Sequence, residues 1–193
     1  MVIDALALAD RIVATAQRFD GACACTKHRQ SIFEAVGFPF DIRPFRVVDG
    51  KCIGISTCYV FALNVLRLCG IATHTWHLGE AIGAMIAWAI RNCCWQFPGD
   101  GLLPGHGDIL VIGKNGGTHV CVVDYCDGTT IWTFDGGQCC YIDADDHDGI
   151  GRQMVAARSR EWHGDHVVGI QLDQVVGWAV CGLAPLRQDV SQD

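Results

Sequence analysis

Acyl transfer at an amide bond needs a nucleophile, a base and a group to orient that base, and this chain offers Cys58, His119 and Asp135 in that order. The nucleophile lies in Gly54-Ile-Ser-Thr-Cys58-Tyr-Val-Phe-Ala-Leu-Asn-Val-Leu-Arg-Leu-Cys-Gly70. The apolar run from Thr57 to Cys69 reads as a buried helix, closed by Gly70 after its last turn. Ser56 or Thr57 supplies the cap, which puts Cys58 in the first turn. Unpaired backbone N–H groups and the positive end of the helix dipole meet there. Such a place stabilises a thiolate, the reactive form of cysteine, and can steady an oxyanion formed beside the sulfur.

The base lies in a second stretch. Pro104-Gly-His-Gly-Asp108-Ile-Leu-Val-Ile-Gly113 reads as a loop and a short apolar strand, and Gly117-Thr-His119-Val opens a second strand after a turn at Lys114 to Gly117. A histidine at a strand start can reach toward a facing helix end. Asp127-Gly128 marks a hairpin turn, with Thr129 to Asp135 returning. If Cys126 faces Thr129, His119 lies opposite Gly136 and beside Asp135. A slip of one residue puts Asp135 directly opposite. Either register brings a carboxylate near the imidazole, where it can fix the tautomer and stabilise the imidazolium. Gln138 is the alternative orienter and a candidate substrate contact. His106, in the Gly-rich loop, is a second candidate for substrate contact.

The surrounding elements form an α+β pattern: helices first, antiparallel strands second. A helix covers residues 1–19, with Ile3, Leu6, Ile12 and Val13 able to share a face. A third helix spans His77 to Trp95, and Phe97 to Gly107 is a loop. Residues 139–166 are polar and carry no clear assignment, while Val167 to Leu172 and Val175 to Val180 read as closing strands. No repeat or break in composition divides residues 1–193, which read as one domain.

Half of the 193 residues are hydrophobic and 18% are charged, enough apolar material for a real core. The net charge of -7 and the lack of a basic stripe argue against nucleic acid and anionic lipid as partners. The most apolar run, inside Ala81 to Ile90, is about half the length of a membrane span, so no membrane insertion is expected. No signal peptide is recognised, and the twelve cysteines then read mostly as small buried hydrophobes of a cytoplasmically made protein. Cys23-Ala-Cys25-x-x-His28 with Cys93-Cys94 or Cys139-Cys140 is a weaker zinc pattern. Asp145-Asp146-His147-Asp148 and Trp162-His163-Gly-Asp165-His166 read as solvated loops. No metal or cofactor is expected.

Taken together, these stretches resemble the papain-like fold in its bacterial NlpC and CHAP branch. The family pattern is a cysteine opening a buried helix, a Pro-Gly-Asp element leading into a strand, a Gly-x-His-Val strand start, and a polar residue one strand on. The matching residues are Cys58, Pro104 to Leu110, Gly117-Thr-His119-Val and Asp135, with Val176-Gly-Trp178 as a closing strand. The chain departs from the family around the nucleophile, where it has Ser-Thr-Cys-Tyr. The resemblance implies N-terminal helices packed on an antiparallel sheet. It also implies a cysteine peptidase or amidase acting on the stem peptides or cross-links of peptidoglycan. Small members resemble phage lysins and amidase effectors of type VI secretion, which are delivered to a target periplasm and matched by an immunity protein. Two other functions fit the same residues: deamidation or transglutamination of protein glutamine, and a non-enzymatic cysteine-rich binding module.

Overall fold

Asp4 starts the first helix by accepting hydrogen bonds from the backbone N–H groups of Leu6 (3.0 Å) and Ala7 (3.4 Å) through one carboxylate oxygen. The computed structural model describes residues 4–21, 45–48, 51–54, 57–72, 81–99, 101–114, 117–138, 154–169 and 172–183. Helix α1 (Ala5–Gln17) buries Leu8, Ile12, Val13 and Ala16, one helical stripe. Leu6 is not on that stripe; it is 77% exposed, because its position turns it away from Ile12. Ile3 lies outside the described residues.

A hairpin of β1 (Phe45–Val48) and β2 (Lys51–Gly54) precedes helix α2 (Thr57–Leu68). Gly70, at φ +81°, ends α2 in the left-handed conformation that glycine adopts without strain. Arg11 of α1 reaches across to donate to the Cys69 carbonyl at 2.6 Å, satisfying part of that helix end. Helix α3 (Ala81–Arg91) is shorter than the sequence suggests at its C-terminal end. Cys93, at φ 54°, turns the chain, and Trp95–Gln96 leaves as strand β3. Residues 73–80 lie outside the described residues. None of the described helices is long and apolar enough to cross a membrane.

The remaining strands are β4 (Ile109–Lys114), β5 (Gly117–Cys126), β6 (Thr130–Gln138), β7 (Met154–Trp162), β8 (His166–Val168) and β9 (Leu172–Ala179). They form a seven-stranded antiparallel sheet in the order β3-β9-β4-β5-β6-β7-β8. Strand β8 also pairs with β9, so the sheet from β9 to β8 closes on itself. The protein is therefore a mixed α+β fold, as its sequence suggests. Residues 154–162 form a full strand where no element was legible.

Closure explains the continuous apolar strands. Alternating residues point to opposite faces, and both faces are covered. Ile109, Val111, Val120, Val122 and Phe134 join α1, α2 and α3 in the outer core. Leu110, Ile112, Cys121, Val123, Ile131, Trp162, Val175 and Trp178 fill the inside of the curl. Helix α2 packs on β5 and β6, which sets its first turn against the strands that carry the candidate base and orienter.

Candidate functional site

The register between β5 and β6 decides where Asp135 falls. Cys126 pairs with Ile131 and not with Thr129, because Asp127 folds the turn around its own side chain. Its carboxylate accepts from the N–H groups of Thr129 (2.8 Å) and Thr130 (2.7 Å). A bulge between Val123 and Tyr125 then shifts the ladder, so that Cys121 pairs with Asp135. Both expected registers are corrected. Asp135 is neither beside nor directly opposite the position of His119; it is diagonal to it, on the same face, two residues away. That diagonal suits a long side chain, and His119 Nε2 meets Asp135 Oδ2 at 2.6 Å.

Cys58 is the second residue of α2 and only 6% exposed. A hydrogen bond joins it to His119. With the Nε2–H donating to Asp135, the other ring nitrogen, Nδ1, carries the lone pair available to the thiol. Burial alone pushes the His119 pKa down. The hydrogen bonds and charges of Asp135 and Cys58 outweigh burial and lift it to about 9. The imidazolium is thus favoured between two groups that carry or can carry negative charge, the state that a thiolate–imidazolium pair requires. The Ser56 or Thr57 cap lies outside the described residues and side chains.

Asp135 is fully buried, and burial pushes its carboxyl up. The His119 hydrogen bond and the Arg160 guanidinium overrule that and hold it well below the usual carboxylate range. Arg160, on β7, donates through Nη2 to Oδ2 and through Nη1 to Oδ1 (3.3 Å). Thr133 donates its hydroxyl to Oδ1 at 2.5 Å and accepts from Arg160 Nη1 at 2.7 Å. Cys121 lies on the same inward face, and its thiol is pushed well up by burial.

Arg160 and Thr133 were not legible as site residues. The signal was parity. Trp162 is inward on β7, so Arg160 two residues earlier is inward too, but that reading needs a strand in a stretch that looks merely polar.

His106 does not belong with the other three. Its Nδ1 lies 2.5 Å from the Asp124 carbonyl, and its Nε2 lies 3.3 Å from the Asp10 carboxylate. Asp124 is five residues along β5 from His119, roughly 16 Å at 3.3 Å per residue. The loop before β4 turns His106 toward α1, at the opposite end of the sheet from His119. It lines an open cavity of about 420 Å³ with Leu6, Leu103 and Trp178. Gln138 ends β6 opposite Met154; its side chain lies outside the described residues.

Among the described residues no group of histidine, cysteine and carboxylate side chains could hold a metal ion. His163 and His166 stack ring on ring at 4.7 Å, each paired with an acidic neighbour. Cys23, Cys25, His28, Cys139, Cys140 and residues 145–148 lie outside the described residues. Among the described residues, Cys58, Cys69, Cys93, Cys94, Cys121, Cys126 and Cys181 form no disulfide with one another. Comparison with protein families, with curated proteins and with solved structures finds no match to this chain.

Proposed function

We propose that this protein is a cysteine-dependent hydrolase of amide bonds, with a papain-like arrangement of the NlpC and CHAP type. The observation that carries the reading is one continuous chain of hydrogen bonds from Cys58 through His119 to Asp135. The order of elements supports it: a cysteine at a helix start, a histidine at the start of a strand packed on that helix, and an acid on the next strand.

In this reading His119 takes the Cys58 proton, and the thiolate attacks the amide carbonyl carbon. The N–H groups of the first turn of α2 face the developing oxyanion. The C–N bond breaks as His119 returns its proton to the leaving amine. Water, deprotonated by His119, then attacks the thioester and releases the acid, and the thiolate–imidazolium pair is restored. Asp135 holds the ring and offsets its positive charge throughout. The substrate is a stem peptide or cross-link of peptidoglycan, reached in a target periplasm through a specialised secretion system, with an immunity protein as the protective partner.

The test is incubation of the protein and Cys58→Ala with bacterial sacculi, with soluble products resolved by mass spectrometry. Release of peptide fragments by the unmodified protein and a loss of about 10³-fold or more in the variant is expected. No release from several wall types by a folded protein would overturn the wall substrate. Ammonia release from protein glutamine would then favour a deamidase on the same three residues.

A further inference from the structure

The Cys58–His119–Asp135 chain ends on a buried cation. Arg160, on β7, reaches Asp135 and occupies both carboxylate oxygens. Its side chain is 11% exposed, and a side chain at Gly169 would press on its stem, with a Cβ there 3.4 Å from Cγ. Thr133 locks the same fork from the side. An arginine held this tightly at the back of the group that orients a histidine does more than fill space.

We infer that Arg160 is a positioning residue for the Cys58–His119 pair: it holds the Asp135 carboxylate in line with His119 and draws off part of its charge, so that the thiolate–imidazolium pair forms at lower pH. The inference rests on the proposed role of Cys58 and His119. Without the cation, Asp135 would confront the imidazole with its full charge in a place of low dielectric. A thiolate formed at Cys58 would then share the buried cluster with an uncompensated Asp135 carboxylate, and the thiol would give up its proton only at higher pH. Other groups facing the cluster are Cys58 from α2, Cys121 opposite Asp135 on β5, and Asp173, buried on β9, which acts on the guanidinium through its charge. Arg158, two residues along β7, is exposed. Asp173 shares the charge of Arg160, which limits the effect on His119 without reversing it.

The experiment is the rate of iodoacetamide alkylation at Cys58 against pH, read by peptide mass spectrometry, in the wild type, His119→Ala, Arg160→Gln and Arg160→Lys. Gln keeps a donor to Asp135 and removes the charge; Lys keeps the charge and removes the fork. The pH at which alkylation begins to rise should move up by roughly one unit in Arg160→Gln, the size expected for one charge at this range in a partly screened interior. In Arg160→Lys it should stay within about 0.3 unit of the wild type. A folded Arg160→Gln with an unmoved profile overturns the inference, since a purely structural arginine would change the melting temperature and leave the profile alone. If Arg160→Gln gives no cooperative melt, Arg160→Lys decides: a shift of about one unit or more overturns it. A wild-type profile rising only near an ordinary thiol pKa, and indifferent to His119→Ala, would instead overturn the reading of Cys58 and His119 on which this rests.

Discussion

Asp108 and Asp135 are both buried carboxylates of one closed sheet, and burial acts on both in the same direction. Their fates differ because of what surrounds them. Among the described residues Asp108 accepts from two backbone N–H groups, those of Gly105 (2.8 Å) and Cys181 (3.1 Å), and burial lifts its pKa to about 6. Asp135 sits between an imidazole and a guanidinium and is held far down. Each end of the sheet also carries a histidine. His106 is 41% exposed beside Asp10 and Asp124, whereas His119 is 13% exposed between Asp135 and Cys58. Dipeptide-scale sequence features at the two ends look alike. What separates the two carboxylates is the pair of charged partners on Asp135, one of them supplied by a distant strand.

The largest effect should separate the histidines. In the proposed reading His119 is the general base, and His119→Ala should lower the rate of peptide release by about 10² to 10⁴. Iodoacetamide reactivity of Cys58 at pH 7 should fall about 30-fold, because an unpaired thiol is only a few per cent thiolate there. His106→Ala should leave both within about twofold. Comparable losses in the two variants would break the distinction between the two ends.

The carboxylates come next. Asp135→Asn takes away the carboxylate that the buried Arg160 grips, which should cost about 3–5 kcal/mol in urea melts at pH 7. Because the folded pKa of Asp135 is depressed, its contribution is present above the unfolded value near pH 4 and is lost as pH falls through the lower folded value. Asp108 has the opposite sign. Its folded pKa is raised, so its contribution is present below about pH 4 and is lost as pH rises through about 6. The stability of wild type relative to Asp108→Asn should therefore decline by up to about 3 kcal/mol between pH 4 and pH 7. A difference flat with pH would show that Asp108 is not perturbed. The alkylation profile of Cys58 should be unchanged in Asp108→Asn.

The sequence made one of these ends far more legible than the other. Cys58 announces itself by opening an apolar helix, and His119 by opening an apolar strand after glycine. Both signals are local, so counting residues suffices. Asp135 is reached by counting along a hairpin, and the count is off by one: the Asp127 side chain enlarges the turn by two residues, and the bulge at Val123 takes one back. A side chain that makes a turn and a bulge that resets a ladder are decided by hydrogen bonds, not by residue type. Arg160 was beyond reach because its strand has mixed polarity and pairs with β8 only at Glu161 and Trp162. For His106 the error was one of direction. The glycine loop brings it near β5 in sequence, and the sheet then carries it to the other end.

That loop offers the smallest and most selective test. Gly107 has φ +82°, and its N–H donates to the Val123 carbonyl at 2.9 Å, fastening the loop to β5. A Cβ on it would lie 2.8 Å from the backbone Cα of Ala9 in α1, where no flexible tip can move aside. Gly107→Ala therefore combines a left-handed backbone with a forced shift of the helix, and should cost about 2 kcal/mol in urea melts. The damage should stay at the His106 end. Helix α1 touches β5 there, while the Cys58–His119 contact depends on the packing of α2 against β5 and β6. The Cys58 alkylation rate at pH 7 should remain within about twofold of wild type for protein still folded. A larger change would mean that the loop and the thiol are coupled through β5, and that the two ends of the sheet act as one unit.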